Sequence, residues 1–191
     1  MKKLLVLTIC LFMTISIYAQ NHMTFKGIPI DGSLKSFTES MNKAGYKYEG
    51  SDSNAALFSG SFAGYNNCYI YVTTLSNQDI VSCVGVKTPA SNTWSSIHSD
   101  YEGLKDKLTQ KYGSPSECSE KFKDDVRDDN FSKMYAIHEQ EYEWFTAYTT
   151  DLGYIALTIA EGDSYLTGCV MLLYYDKINS NQAQDAAMDD L

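Results

Sequence analysis

The sequence predicts an α+β fold in which helices cover one face of an antiparallel sheet. Two segments, starting near residues 33 and 93, carry apolar residues at three-to-four spacing, which indicates amphipathic helices. Each segment is followed by three strand-like runs joined by short polar turns, the connections typical of antiparallel neighbours. Because this order repeats, the chain is predicted to contain two helix-strand-strand-strand units in a single domain over residues 20–176.

The first unit, about residues 24–90, begins with an extended segment from Thr24 to Ile30. Ser33 is suited to cap the helix that follows, and Gly45 is suited to the left-handed residue that ends it. The predicted apolar stripe of this helix consists of Leu34, Phe37, Met41 and Ala44. The predicted strands run from Ala55 to Phe62, from Cys68 to Thr74 and from Ile80 to Lys87, with a turn at Asn66-Asn67.

The second unit, about residues 91–176, begins with a longer helix that ends at Gly113 and Pro115. Its predicted apolar stripe consists of Ile97, Tyr101, Leu104, Leu108 and Tyr112. Its predicted strands run from Tyr142 to Thr149, from Tyr154 to Ala160 and from Tyr165 to Tyr175. An acidic insertion over residues 114–140 is predicted to be a solvated loop or a short helix. Residues 177–191 are predicted to form a polar tail that frays.

The first 19 residues have the composition of a secretory signal peptide. Lys2 and Lys3 precede an apolar run from Leu4 to Ile17, and Ala19 supplies the small residue before the predicted cleavage point. A membrane anchor is the alternative, but the run is shorter than the ~20 residues that a span requires. We therefore expect a protein that is not embedded in a membrane and is exported to the periplasm, the cell surface or the medium.

Composition excludes some classes of function. The chain has 24 acidic and 15 basic residues, a formal net charge of −9, whereas nucleic-acid binding needs a basic surface that neutralises phosphates. Four cysteines follow the signal segment: Cys68, Cys83, Cys118 and Cys169. In an oxidising compartment they permit two disulfides, with thiols packed as small core residues as the alternative, and no pairing is assigned. None has the spacing of a zinc site.

The helix exit Lys111-Tyr112-Gly113-Ser114-Pro115 is similar to the Gly-x-Pro exits of one family of tandem folds. With the repeated element order, the chain thus resembles the β-lactamase inhibitor protein and the small outer-membrane assembly lipoproteins that share its fold. Ala44-Gly45-Tyr46-Lys47 departs from the pattern because it has no Pro. The resemblance implies a non-enzymatic fold whose open sheet face binds another protein. The segment from Phe25 to Gly32 also resembles that of uncharacterised exported proteins of gut bacteria, which implies no activity.

Aromatic residues supply the candidate binding site. Alternate side chains of a strand share a face, so Tyr69 and Tyr71 point away from the aliphatic residues between them. Tyr142, Trp144 and Tyr148 share one side of a later strand by the same alternation. We predict that these five residues lie on a partly covered sheet face, where Tyr and Trp favour binding. The alternative is that Tyr is present only because it is a good strand former.

The sequence contains no recognisable catalytic motif. It lacks a Gly-rich phosphate loop, a Gly-x-Ser-x-Gly elbow and a Cys/His signature. His138-Glu139-Gln140-Glu141 lacks the second histidine of a zinc-protease helix, while His22 and His98 are predicted to be mobile and surface-exposed, respectively. Asp124-Asp125 and Asp128-Asp129 offer oxygen ligands for Ca²⁺, but without EF-hand spacing solvated charge is favoured. No catalytic residue, metal or cofactor is therefore predicted. A glycosidase-type pair of carboxylates stays open, because its two members are set at a distance in space and have no characteristic spacing in the sequence.

The sequence thus favours an exported, non-enzymatic binding protein that docks an envelope or extracellular protein through its aromatic sheet face. Two alternatives stay open. The same aromatic residues could bind a glycan or a small ligand, and an unrecognised hydrolase could use the acidic insertion. The exposure of Trp144 is informative, because a buried indole without exposed aromatic neighbours argues against binding at that position.

Overall fold

The computed structural model describes residues 21–182, and it confirms an α+β fold with an antiparallel sheet and helices on one face. The predicted signal segment and the last nine residues of the predicted tail lie outside the described residues. The helices are α1 (Leu34–Lys43), α2 (Trp94–Tyr112) and α3 (Asn130–His138), and residues 177–182 are also helical. The strands are β1 (Thr24–Phe25), β2 (Ile28–Pro29), β3 (Lys47–Ser51), β4 (Ala55–Phe62), β5 (Tyr65–Thr74), β6 (Val81–Lys87), β7 (Glu117–Phe122), β8 (Tyr142–Thr150), β9 (Gly153–Glu161) and β10 (Gly168–Asp176).

Eight strands form one sheet in the order β3-β4-β5-β6-β10-β9-β8-β7, and every neighbouring pair is antiparallel. Strands β3 to β6 form one half of the sheet and strands β7 to β10 form the other. The two halves meet at the centre, where β6 pairs with β10 and Val86 lies opposite Leu172. Each half of the sheet therefore holds four strands, one more than the three predicted from the sequence. The two missed strands, β3 and β7, are the sheet edges, and their exposed, polar residues obscure the strand pattern.

The predicted stripes of the two long helices face the sheet, except for Ala44, which is the C-cap of α1 and is exposed. The side chain of Ser33 accepts a hydrogen bond from the backbone N–H of Ser36 at 3.2 Å, and Gly45 has a φ of 89° at the end of α1. Phe37 and Met41 are buried beneath α1. Beneath α2 the buried residues are Ile97, Tyr101, Leu104 and Leu108. Both helices lie on the same face of the sheet, which we call the helix face.

The acidic insertion is more ordered than the sequence indicates. It contains the edge strand β7 as well as the helix α3, so the alternative of a solvated loop is wrong for most of its length. Asp129 caps α3 by accepting a hydrogen bond from the backbone N–H of Ser132 at 2.8 Å. Met134 and Ile137 are buried on the inner side of this helix. Burial of these apolar residues stabilises the insertion against the rest of the helix face.

The two ends of the described chain are joined by a buried carboxylate. Asp176 is fully buried and accepts hydrogen bonds from the backbone N–H groups of Met23 (2.7 Å) and Asn179 (2.9 Å). The Nδ1 atom of His22 lies 3.0 Å from the same carboxylate. The prediction that His22 is mobile is therefore wrong, and so is the predicted fraying over residues 177–182, because these groups satisfy Asp176.

Candidate binding surface on the open face of the sheet

The side chains of β5 alternate between the two faces of the sheet. Cys68, Ile70 and Val72 are fully buried on the helix face. Tyr69, with 42% of its surface exposed, and the half-buried Tyr71 point to the other side, where none of α1, α2 and α3 packs. This placement is the one predicted for these two tyrosines, and it follows from the two-residue period of a strand.

Strand register places a row of small and apolar side chains across the middle of this uncovered side. Leu57 lies opposite Tyr71, and Tyr71 lies opposite Gly85. On the far side of the centre, Leu173 lies opposite both Gly85 and Ala156. A Cβ atom at Gly85 would lie 3.0 Å from a Leu173 methyl carbon, so the glycine makes room for the Leu173 side chain.

Two further rows flank this central row. One contains Tyr69, Lys87, Met171, Thr158 and Phe145, and the other contains Thr73, Cys83, Tyr175 and Tyr154. We call the whole surface the open face; its large apolar and aromatic members are Leu57, Tyr69, Tyr71, Phe145, Tyr154, Met171, Leu173 and Tyr175. Among the charged groups there, Lys87 pairs with Asp163 at 2.7 Å, so this lysine is locally neutralised.

The prediction that Tyr142, Trp144 and Tyr148 lie on the uncovered side is wrong. Register places Tyr148 opposite Ile155, a buried residue of the helix face. Tyr148 is 1% exposed, donates a hydrogen bond to the Lys105 carbonyl at 3.1 Å and lies 2.9 Å from the Thr109 hydroxyl. The phenol is therefore packed under α2, where it is not available to a partner.

Trp144 belongs to an aromatic cluster on the helix face. Its ring lies 4.7 Å from that of Trp94 and 5.2 Å from that of Phe122, and none of these three residues is exposed. The indole nitrogen of Trp144 is buried and has no hydrogen-bond partner among the described residues. Tyr142, on the same side of β8, donates a hydrogen bond to the Ile159 carbonyl at 2.9 Å. Because the indole nitrogen is buried and its aromatic neighbours are not exposed, this cluster is part of the packed structure and is not a candidate binding surface.

The structure thus separates the five predicted binding residues, keeping Tyr69 and Tyr71 on the open face and moving three to the helix face. Sequence reasoning missed Leu57, Phe145 and the residues of β9 and β10 that face outwards. In β10 the outward Met171, Leu173 and Tyr175 alternate with equally apolar inward residues, so the period-two signal is absent. In β8 the alternation is visible, but the choice of face depends on α2.

A polar network links α2 to the edge strand β7 on the helix face. The hydroxyls of Tyr101 and Thr146 lie 2.6 Å apart, and burial raises the pKa of Tyr101, which therefore stays protonated at neutral pH. Glu120 pairs with Lys105. Partial burial raises the pKa of Glu120, but hydrogen bonds from Lys105 and Cys118 outweigh it, and the resulting pKa is below the ordinary value. These groups satisfy one another, as a structural network requires.

The four cysteines of the described chain are all free thiols. Cys83 and Cys169 are buried, and burial raises the pKa of each thiol to about 11. A thiol with such a pKa is protonated at neutral pH, so neither residue is an activated nucleophile. Cys118 is exposed on β7. The two disulfides that the even cysteine count permits are not formed in this structure.

The remaining titratable side chains do not assemble a metal site. Within residues 21–182 no three His, Cys, Asp or Glu side chains are grouped to hold an ion. Asp128 of the acidic insertion pairs with Lys133, and Asp129 serves as the cap of α3. His138 contacts Glu161 on the neighbouring strand. The carboxylates considered for Ca²⁺ therefore have ordinary structural partners or, like Asp124 and Asp125, lie exposed.

Comparison with protein-family models, with curated proteins and with solved structures finds no match for this chain. Among the helices of residues 21–182, none is both long and apolar enough to cross a membrane. The function proposed below therefore rests on the geometry and chemistry of the described residues.

Proposed function

We propose that the chain is an exported, non-enzymatic binding protein whose open face docks a protein partner. The observation that carries the proposal is the apolar row across an uncovered sheet face. The solvent side of an antiparallel sheet normally carries polar side chains, whereas here Leu57, Tyr71 and Leu173 occupy its middle. Contiguous apolar surface of this kind marks interaction sites.

The size of the open face suits a protein partner. Eight strands at about 4.8 Å spacing give a width of roughly 34 Å, and five residues along each strand give roughly 17 Å. The resulting area of roughly 600 Å² approaches the ~800 Å² per partner that a standard protein–protein interface buries. A small ligand would use only a fraction of such a surface.

The chemistry of the open face also favours a protein. Its middle carries tyrosines and aliphatic residues, the composition of an interface core that excludes water. Most of its charges lie in local ion pairs, Lys87 with Asp163 and, towards the two edges, Lys47 with Glu49 and Lys121 with Glu143, whereas Glu117 at the β7 edge is exposed. We therefore expect a partner surface with an apolar centre and a polar rim, rather than a strongly charged one.

Cross-linked capture from an envelope extract of the source organism tests the proposal. The open-face variant Tyr69→Ser/Leu173→Ser is compared with the control variant Phe131→Ser/Tyr135→Ser, which removes two exposed, stacked rings from α3. Circular dichroism and thermal unfolding establish that both variants are folded. We expect the wild type and the control to capture one protein that the open-face variant does not capture. After purification, that protein is expected to bind the wild type directly.

Equal capture by all three proteins, or loss from the α3 variant alone, would contradict docking at the open face. A wild-type dimer that the open-face variant dissociates, measured by analytical ultracentrifugation, would identify a second copy as the occupant instead. Wild-type binding on a glycan array, lost in the open-face variant, would favour a glycan. Export is tested separately, because the mature protein recovered from cells is expected to begin at Gln20.

A further inference from the structure

A cavity of about 300 Å³ lies on the helix face, away from the open face. It is bounded by the β1–β2 hairpin, the β4–β5 turn and one side of α2. Its floor is the central strand β10, through Leu172 and Tyr174. Its buried apolar lining consists of Phe25, Phe62, Leu104, Leu108, Leu172 and Tyr174, and the half-buried Ala63 and Tyr112 complete the apolar wall. Ligand pockets begin at about this volume and are lined mostly by such residues.

Three lysines surround the mouth of this cavity, and no acidic residue lines it. The Lys26 ammonium lies 5.4 Å from the centre of the Phe62 ring, and that of Lys111 lies 4.7 Å from the centre of the Tyr112 ring. Lys107 donates to the Ala63 carbonyl at 3.3 Å. Among residues 21–182 none of these three lysines is paired with a carboxylate, although acidic residues outnumber basic ones by 24 to 15 in the chain.

Two tight turns hold the rim of the cavity. Lys26 and Ala63 both have a φ of 52°, the left-handed region, and each precedes a glycine with positive φ. Asn-Gly is the usual pair in such turns, since a residue with a Cβ atom is strained by roughly 1–2 kcal/mol there. Lys26 thus occupies a costly backbone position, and it places a cation at the entrance of an apolar cavity.

We propose that this cavity binds an amphipathic carboxylate, with its tail among Phe25, Leu104 and Leu172 and its headgroup against the three lysines. The chemistry is complementary at both ends, since the walls are apolar and the entrance is cationic. A volume of about 300 Å³ lies at the lower end of the range of ligand pockets, which suits a medium-length chain better than a long one. A medium-chain fatty acid is therefore the expected class of ligand.

Isothermal titration of the protein with decanoate, decanol and acetate tests this site. We expect saturable one-to-one binding of decanoate, at least tenfold weaker binding of decanol and no binding of acetate. Lys107→Gln/Lys111→Gln is expected to weaken decanoate binding about tenfold, the effect of losing two partly exposed charge contacts. Lys35→Gln/Lys43→Gln makes the same charge change on exposed positions of α1 and should leave the affinity unchanged.

A second variant tests the cavity itself. Thr24 is exposed and lines the entrance, so Thr24→Trp fills the space without disturbing the buried core. We expect this variant to lose decanoate binding while its thermal unfolding stays close to that of the wild type. Absence of saturable binding by the wild type, equal affinity for decanol, or equal weakening by both lysine pairs would overturn the proposal. Because the open face is not involved, Tyr69→Ser/Leu173→Ser is expected to bind decanoate normally.

Discussion

Tyrosines lie on both faces of the sheet, but the buried ones lie on the helix face, and those of the open face are partly exposed to solvent. On the helix face, Tyr148 is 1% exposed, and its hydroxyl is held between Lys105 and Thr109. On the open face, Tyr69 is 42% exposed, and Leu173 is half-buried beside Gly85. An aromatic strand therefore becomes core or solvent-facing surface according to the layer packed against it. For β8 that layer is α2.

The largest expected effect is on the helix face. Tyr148→Ala removes a buried ring and two polar contacts, so we expect the free energy of unfolding to fall by about 3–5 kcal/mol. Tyr69→Ala on the open face is expected to change the same quantity by less than about 1 kcal/mol, because 42% of the Tyr69 surface is already exposed to solvent. Urea denaturation measures both. Similar losses for the two variants would contradict the distinction between the faces.

A smaller effect is expected from single hydroxyl groups. Tyr101→Phe removes the buried contact with Thr146 and should lower the free energy of unfolding by about 1 kcal/mol. Tyr71→Phe, the matched change on the open face, removes a hydroxyl from a half-buried ring and is expected to be close to neutral. Thermal unfolding measures the stability of both variants. A Tyr101→Phe variant as stable as the wild type would show that the contact with Thr146 contributes no stability.

The smallest expected effect depends on pH. The pKa of Glu120 lies below the ordinary value of 4.5, so the unfolded chain binds more protons than the folded one in acid. The stabilisation from its pairing with Lys105, about 1 kcal/mol or less, is therefore present above pH 4.5 and is lost as the pH falls below that value. Glu120→Gln should weaken this pH dependence. An identical pH profile of stability for wild type and variant would contradict the assignment.

Local signals in the sequence were sufficient for much of the fold. The cap at Ser33, the exit at Gly45 and the stripe of α2 depend on nearby residues, and the structure confirms each of them. The edge strands β3 and β7 were missed because strands exposed at an edge need few apolar residues. Polar caps and ion pairs likewise concealed how much of the acidic insertion is ordered.

The candidate site was only partly predictable for a different reason. Alternation correctly grouped Trp144 with Tyr148, but it carries no information on which group faces a helix. That choice depends on the side against which α2 packs, and the register places Tyr148 on that side, opposite the buried Ile155. The lysine-rimmed cavity could not be found either, because Lys26, Lys107 and Lys111 meet only after β1, β2 and α2 have packed.

The most direct test of the open face compares side-chain labelling in cells with labelling of the purified protein. Hydroxyl radicals oxidise exposed Met and aromatic side chains, so Met171 and Tyr69 report on the open face, while Phe131 and Tyr165 report on exposed surface elsewhere. If a partner covers the open face, Met171 and Tyr69 are protected in cells, and Phe131 and Tyr165 are labelled as in the purified protein. Equal labelling of all four residues in both samples would contradict docking at the open face.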